Sequence, residues 1–188
     1  MKDGMLVVVS APSGCGKGTI LGEILKDDKY YYSVSATTRE PRKGEVDGVT
    51  YRFITKDTFE EYINKGMMLE YAEYCKNYYG TPKDKMEENL AKGKCVILEI
   101  EVQGAMKVRK LRPDATFIFI APPSIEELKR RLLKRGTETL EVIEERVAQA
   151  ERELSYAKYY DYVIVNDDID DAINDFKSVI RACELKVK

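Results

Sequence analysis

Histidine is absent from this sequence of 188 residues. A serine or cysteine nucleophile that depends on a histidine base is therefore excluded. The cysteines contain no C-x-x-C pair, so we predict neither a disulfide framework nor a zinc site; they are Cys15, Cys75, Cys95 and Cys183. No apolar run reaches the ~20 residues that span a bilayer, and no signal-peptide pattern opens the chain. We expect a cytoplasmic protein with no membrane contact.

An excess of charge of one sign is also missing. Lys and Arg number 31 and Asp and Glu number 33, which leaves a net charge of −2. This balance argues against a general nucleic-acid-binding surface, so we expect no nucleic-acid partner. The length suits one globular domain with its own core, and nothing in the sequence implies an obligate protein partner.

Four short apolar runs have the character of strands buried on both faces. Each is followed by a helical pattern, and they are Leu6–Val9, Cys95–Leu98, Thr116–Ile120 and Tyr162–Val165. An alternation of strand and helix is typical of α/β proteins with a parallel sheet flanked by helices. We predict that architecture.

The helices carry signals of their own. Ser124–Glu127 is a capping box that opens a helix. Two further stripes have the 3-4 spacing of core-facing helices, one made of Leu140, Ile143, Val147, Ala150 and Leu154 and the other of Ile169, Ile173, Phe176, Ile180 and Cys183.

Two stretches interrupt the alternation of strand and helix. Residues of about 36–85 are rich in Tyr, Thr and Gly, and we interpret them as an insertion with a small sheet and one helix near Thr58–Lys65. Residues of about 134–151, rich in Arg, Thr and Glu, are predicted to form a short helical lid. The core then comprises about 1–35, 86–133 and 152–188.

A glycine-rich loop joins the first predicted strand to a helix. It is Ala11-Pro12-Ser13-Gly14-Cys15-Gly16-Lys17-Gly18-Thr19. Glycines allow backbone N–H groups to surround phosphate oxygens, and the helix N-terminus adds positive potential. The spacing and the strand–loop–helix context predict a P-loop, with Lys17 as the cation for the outer phosphates of a nucleoside triphosphate.

The loop departs from the general pattern at two positions. Ala11 replaces a glycine, and Gly18 replaces the usual Ser or Thr that ligates Mg²⁺. Since Gly18 has no hydroxyl and Thr19 comes one residue late, we expect Mg²⁺ to be held mainly by phosphates and water, with no direct protein ligand. The Gly-Lys-Gly-Thr variant is found among nucleoside monophosphate kinases.

A second cluster of cations, Ser35–Glu45, lies in the predicted insertion. Arg39 and Arg42 flank Pro41 in a loop, and arginine binds phosphate through a planar fork. Taken alone, a solvated run of charges is the default interpretation. Beside a P-loop, a second phosphate site implies a phosphoryl acceptor.

Motifs over nearly the whole chain resemble the guanylate kinase family. They are 35–45 (SATTREPRKGE), 47–53 (DGVTYRF), 68–72 (MLEYA), 77–82 (NYYGTP), 98–104 (LEIEVQG), 120–124 (IAPPS), 135–139 (RGTET) and 163–168 (VIVNDD). The resemblance implies a P-loop NTPase-type fold with an inserted GMP-binding α+β subdomain at about 36–85 and the lid at about 134–151. It also implies transfer of a phosphoryl group from ATP, with Mg²⁺, to GMP and dGMP.

The resemblance also implies a role for each site residue. Catalysis is assigned to Lys17, Arg39, Arg135 and Arg146, and ATP binding to Ala11–Thr19, Arg135, Arg146 and Asn166. GMP binding is assigned to Ser35, Arg39, Arg42, Glu45, Tyr51, Glu70, Tyr79, Gly80, Thr81 and Glu101. Within that set Arg39, Arg42, Tyr51 and Tyr79 would hold the phosphate, and Ser35, Glu70 and Thr81 would read the guanine.

Some assignments have alternatives. Bacterial guanylate kinases usually carry Asp at the position of Glu101, so a contact of Glu101 to guanine or to metal-bound water is left open. Glu99, at the end of a predicted strand, could act on the metal through water. Arg130 and Arg131 could replace either lid arginine.

Two other functions compete with a guanylate kinase activity. One is a nucleoside monophosphate kinase of another base specificity, which the Ser35, Glu70 and Thr81 set argues against. The other is a non-catalytic guanylate-kinase-like domain that binds phosphopeptides. Such domains typically lack the P-loop lysine and the lid arginines, which are present here.

Overall fold

The structure is a computed structural model that describes residues 4–74, 76–136 and 138–187. Cys75, Thr137 and the side chain of Arg135 lie outside this description. In chain order the strands are β1 (Met5–Ser10), β2 (Tyr30–Tyr32), β3 (Ala36–Thr37), β4 (Arg52–Phe53), β5 (Met68–Tyr74), β6 (Asn77–Pro82), β7 (Cys95–Glu99), β8 (Thr116–Ala121) and β9 (Tyr162–Val165). The helices are α1 (Lys17–Ile24), α2 (Lys56–Asn64), α3 (Lys83–Ala91), α4 (Val102–Leu111), α5 (Ile125–Arg135), α6 (Leu140–Leu154) and α7 (Ile169–Leu185), with a 3₁₀ turn at Ala157–Tyr159.

The predicted parallel sheet is confirmed, with five strands in the order β2-β7-β1-β8-β9. The apolar runs of β1, β7 and β8 are buried, as a strand covered on both faces requires. Burial of Tyr162–Val165 was predicted wrongly, because β9 is the last strand in the order and only Ile164 is buried there. Strand β2 has no aliphatic residue and was not predicted, yet it pairs in parallel with β7.

The predicted small sheet is also present, with the order β4-β3-β6-β5. Strands β5 and β6 form an antiparallel pair in which a register shift between Met68 and Glu70 brings Glu70 opposite Thr81. Helix α2 covers this sheet with the fully buried Phe59, which packs against Ala36 and Met68. It begins before the predicted Thr58, because the Thr55 hydroxyl accepts a hydrogen bond from the Thr58 amide at 3.2 Å and caps it.

Two helix predictions were tested closely by the structure. The Ser124 hydroxyl accepts a hydrogen bond from the Glu127 amide at 3.1 Å, so the predicted cap of α5 is confirmed. In α6, Ile143 and Ala150 are buried as predicted. Leu140 is 64% exposed, so its predicted core position was wrong. It is the first residue of α6, directly after the capping Thr139, and it lies a turn before the buried face begins.

The chain divides into two compact units. The first comprises Met1–Val7 and Lys29–Ala115, and the second Val8–Asp28 and Thr116–Lys188. The boundaries predicted for the core, the insertion and the lid do not coincide with the boundaries of these two units, and they stay a prediction. No helix in the described part of the chain has the length and apolar character needed to cross a bilayer.

Candidate active site

The predicted P-loop lies between β1 and α1 in the second unit. Gly16 caps α1 with φ 81°, a left-handed conformation that favours glycine. Its carbonyl accepts hydrogen bonds from the amides of Thr19 at 3.0 Å and Ile20 at 3.1 Å. Lys17 is the first residue of the helix, so its side chain starts at the end where the amides and the helix dipole favour an anion.

A buried asparagine supports the loop from the far end of the sequence. The Asn166 side-chain amide donates to the Cys15 carbonyl at 2.7 Å, and Asn166 is 4% exposed. A Cβ on Gly16 would lie 2.3 Å from the same amide nitrogen, so glycine is required there by both conformation and space. Asn166 thus supports the P-loop backbone, and its predicted contact with ATP stays a prediction. The Arg131 guanidinium in turn donates to the backbone carbonyl of Asn166 at 2.9 Å.

The thiol of Cys15 is inside the loop and fully buried. Burial raises the pKa of this thiol to about 12, against a smaller lowering by Arg131 and Lys17. Because the thiolate is the reactive form, Cys15 is an inert packing residue.

The predicted lid arginine Arg146 reaches the P-loop within the same unit. It projects from α6, donates to the Ser13 hydroxyl at 2.8 Å and forms an ion pair with Glu138. Arg130 and Arg131 both bind Glu127. Arg131 also lies close enough to the loop to act on the Cys15 thiol, so it stays an alternative lid arginine.

The predicted acceptor-phosphate arginine, Arg39, lies in the first unit and is held by Glu45. Its two terminal nitrogens donate to the two Glu45 carboxylate oxygens at 2.7 and 2.8 Å. The same carboxylate accepts a hydrogen bond from the Arg42 amide at 2.7 Å. The hydrogen bond from Arg39 is the main reason that the pKa of Glu45 falls to about 2. Glu45 was predicted to bind GMP, and the structure gives it Arg39 as its partner.

Two tyrosines complete this cluster. The Tyr51 and Tyr79 rings meet edge-on with centroids 6.0 Å apart, and the Arg39 guanidinium carbon lies 5.4 Å from the Tyr51 ring centroid. The pKa of the Arg39 guanidinium is raised chiefly by its hydrogen bond to Glu45, and the Tyr79 hydroxyl raises it further. Arg39 Nε is buried and meets no hydrogen-bond partner among the described residues. Arg42 is exposed, and the two-arginine phosphate clamp stays a prediction.

The predicted guanine-reading carboxylate, Glu70, is held by Thr81. The Thr81 hydroxyl donates to Glu70 Oε1 at 2.9 Å and is itself fully buried. Burial raises the pKa of Glu70, while the Thr81 hydrogen bond and the positive charge of Lys107 act in the opposite direction. Gly80 is required beside them, since a Cβ there would lie 2.7 Å from the Glu70 carbonyl oxygen.

The remaining predicted residues of the first unit differ in their surroundings. Ser35 is half-buried and its carbonyl accepts the Arg52 amide at 2.8 Å. Glu101 is exposed at the N-cap of α4. Glu99, at the end of β7, accepts a hydrogen bond from the Tyr32 hydroxyl at 3.1 Å. Burial, then Glu99, raises the pKa of Tyr32 above its usual range.

Within the described residues, no group of three or more acidic, histidine or cysteine side chains is arranged to hold a metal ion. The half-buried carboxylate of Glu99 is an oxygen donor of the kind that Mg²⁺ or its water shell accepts. The residues present are therefore compatible with a magnesium ion carried mainly by nucleotide phosphates and water.

Comparison with known proteins gives one consistent result. A family model described as "Guanylate kinase" matches residues 3–183. The chain belongs to the guanylate kinase family. A guanylate kinase of Clostridium tetani is 49% identical over 187 residues, spanning 100% of this chain and 90% of that protein. One from Listeria monocytogenes is 50% identical over 187 residues, spanning 98% and 91%.

The fold agrees with a solved guanylate kinase. The crystal structure of guanylate kinase from Anaplasma phagocytophilum superposes with a TM-score of 0.79 at 35% identity, covering 100% of this chain and 89% of that one. Membership of the guanylate kinase family confirms the resemblance of the motifs, the α/β fold and the kinase class. The roles of individual site residues stay predictions.

Sequence reasoning missed two side chains that support the site, Tyr32, which binds Glu99, and Glu138, which pairs with Arg146. It named Arg131 as a possible lid arginine but did not predict that Arg131 binds the backbone of Asn166. The register of β2 against β7 would have found Tyr32, because Tyr32 pairs with Ile97, two residues before Glu99. The other two contacts depend on how α5 and α6 pack, for which the sequence has no local signal.

Proposed function

We propose that this chain transfers the γ-phosphoryl group of ATP to GMP, and to dGMP, giving ADP and the nucleoside diphosphate. The single observation that carries the proposal is the cluster of Arg39, Tyr51 and Tyr79, which suits a phosphate and lies in the same unit as the half-buried carboxylate of Glu70. A P-loop alone accounts for binding of a nucleoside triphosphate. The phosphate cluster together with Glu70 accounts for binding of a nucleoside monophosphate as the phosphoryl acceptor.

The acceptor phosphate is proposed to bind beside Arg39, which Glu45 holds in place through the two terminal nitrogens. The guanidinium supplies positive charge for a dianion, and the Tyr51 and Tyr79 hydroxyls are hydrogen-bond donors for phosphate oxygens. Arg42 supplies further charge from its exposed position.

The guanine is proposed to bind Glu70. An ionised carboxylate can accept from both N1–H and N2–H of guanine, whereas adenine has an acceptor at N1 and would leave Glu70 unpaired. Because the Thr81 hydroxyl already donates to Glu70, we assign Thr81 to holding the carboxylate. The Ser35 hydroxyl is then the better donor for guanine O6.

The transfer itself needs no general base. The second pKa of a phosphate monoester is about 6, so GMP is already largely a dianionic nucleophile at neutral pH. Lys17, the lid arginines Arg135 and Arg146, and Arg39 offset the charge of two nucleotides, so catalysis consists of positioning and electrostatics. Mg²⁺, when bound with ATP, would neutralise charge on its phosphates. Glu99 fits a contact to the metal through water, and the role of Glu101 stays open between guanine and metal-bound water.

A coupled assay of ADP release tests the proposal with ATP and GMP, dGMP, AMP, UMP and CMP as acceptors. We expect GMP to be preferred over AMP by orders of magnitude in kcat/KM. Comparable or higher activity on AMP would refute the assignment of Glu70. Since ATP and GMP are substrates of the cell interior, we also propose a cytoplasmic location, which fractionation of cells would test.

A further inference from the structure

Gly104, on the first turn of α4, lies directly against the carboxylate of Glu70. A Cβ at this position would be 3.2 Å from Glu70 Oε2, 3.5 Å from Glu70 Cδ and 3.7 Å from Ile100 Cβ. The shortest of these distances is tighter than an ordinary contact between a methyl group and an oxygen. A side chain at position 104 would therefore require the Glu70 carboxylate to move by a few tenths of an ångström.

The backbone does not explain this glycine. Gly104 is in regular helix and is not among the described glycines with positive φ. Glycine inside a helix is less stable than alanine, because it loses more conformational freedom. The nearest group that a methyl would meet is a side chain of the proposed guanine subsite.

The carboxylate is also fixed on its other side. Glu70 Oε1 accepts the hydrogen bond from Thr81, whose side chain is fully buried. Gly104 lies next to Oε2. Lys107, one turn further along α4, donates a hydrogen bond to the Tyr71 backbone carbonyl at 2.7 Å and so holds α4 against β5 next to Glu70. A methyl group at Gly104 would have to turn or shift the carboxylate.

We propose that Gly104 is a positioning and specificity-determining residue for guanine. Its missing side chain leaves Glu70 in the orientation in which both carboxylate oxygens can accept, one from N1–H and the other from N2–H. This inference rests on the proposed function of Glu70. It predicts that a methyl group at position 104 weakens recognition of the 2-amino group in particular.

The test is Gly104→Ala, assayed for kcat and KM with GMP and with inosine monophosphate, which lacks the 2-amino group. We expect KM for GMP to rise about tenfold, kcat to stay within about twofold, and the preference for GMP over inosine monophosphate to shrink. Because alanine favours the helix, the Tm is expected to be unchanged or slightly raised. The matched control is Gly22→Ala in α1, where a Cβ would meet nothing within 4 Å, and KM should not change.

A double-mutant cycle separates positioning from general damage. Glu70→Asp has a shorter side chain, so combining it with Gly104→Ala should cost less GMP affinity than the product of the two single effects. Multiplicative effects, an unchanged KM in Gly104→Ala, or a loss of Tm with a uniform loss on both substrates would overturn the inference. Failure of the proposed function would differ, because the wild-type chain itself would then not prefer GMP over AMP.

Discussion

At the scale of single residues, the orientation of Arg39 is set mainly by Glu45. Glu45 binds the terminal nitrogens in a bidentate pair and leaves Nε on the other edge. The hydrogen bonds from Arg39 and then Arg42 lower the pKa of Glu45 to about 2, which favours the ionised carboxylate. We therefore interpret Glu45 as the residue that orients Arg39.

Glu45→Gln tests this interpretation. A neutral amide has one acceptor oxygen and cannot form the bidentate charged pair, so Arg39 loses its fixed orientation. We expect KM for GMP to rise about tenfold with a smaller change in KM for ATP. The control is Glu40→Gln, since Arg39 contacts Glu40 through the backbone carbonyl. Equal effects of the two substitutions would contradict the role of Glu45.

The hydrogen bond of Tyr32 to Glu99 is a second prediction for a single residue. Tyr32→Phe removes the donor and leaves a half-buried carboxylate without it, at a cost of about 1–2 kcal/mol in the free energy of unfolding. Tyr31→Phe is the matched control, because Tyr31 pairs with Val96 and points to the opposite face of β2. Urea unfolding of both variants measures the difference, and equal midpoints would show that the bond adds no stability.

At the scale of elements, the sequence predicted what depends on local pattern. The aliphatic runs of β1, β7 and β8 and the capping box at Ser124 were each found correctly. Strand β2 was not predicted, because Tyr30–Tyr32 has no alternation of apolar and polar residues. This strand forms through its parallel pairing with Cys95–Ile97 of β7. β9 was misjudged because an edge strand can share the composition of a central one. Position in the sheet is a property of the whole fold.

The proposed role of Glu70 predicts a pH dependence of GMP binding that helix α4 modulates through Lys107. Burial raises the pKa of this carboxyl and Lys107 opposes the rise. Binding needs the ionised form, so KM for GMP should increase as the pH falls through this raised pKa. The groups that face Glu70 are the Thr81 hydroxyl from β6 and Lys107 from α4, and Lys110 lines the same groove.

Lys107→Met tests that dependence. Losing the positive charge should raise the pKa of Glu70 further, so the increase in KM begins at a higher pH than in the wild type. Lys110→Met controls for charge on the same helix and should leave the profile unchanged. Superimposable KM profiles for wild type and Lys107→Met would refute the role of Lys107.

The effect of Glu70 on stability has the opposite sign. Because the pKa of Glu70 is raised in the folded state, this residue favours folding at low pH, and its contribution is lost as the pH rises through the folded-state pKa.

At the scale of the whole molecule, each predicted nucleotide subsite is contained in one compact unit. Residues 8–28 and 116–188 carry the P-loop, Arg146 and Asn166, whereas residues 29–115 carry the acceptor residues from Ser35 to Glu101. The motifs could identify these residues, since each has a local signature. They could not predict that Asn166 and Arg146 hold the P-loop itself, because those contacts join residues more than a hundred positions apart.

This separation predicts that binding of the two substrates can be lost independently. A ligand at 100 times its Kd stabilises the folded state by about 2.7 kcal/mol. Lys17→Ala should lose turnover and retain the rise in Tm caused by GMP. Glu70→Gln should lose the rise caused by GMP and retain the one caused by a non-hydrolysable ATP analogue.

Thermal unfolding of both variants, with each ligand and without any ligand, measures which ligand-induced rise in Tm each variant has lost. The ligand-free Tm of each variant must first match the wild type, so that any lost shift reports binding. Loss of both shifts in either variant would mean that the two subsites are energetically coupled through a shared element. Since the Lys17 and Glu70 side chains begin on different compact units, we expect the reciprocal result.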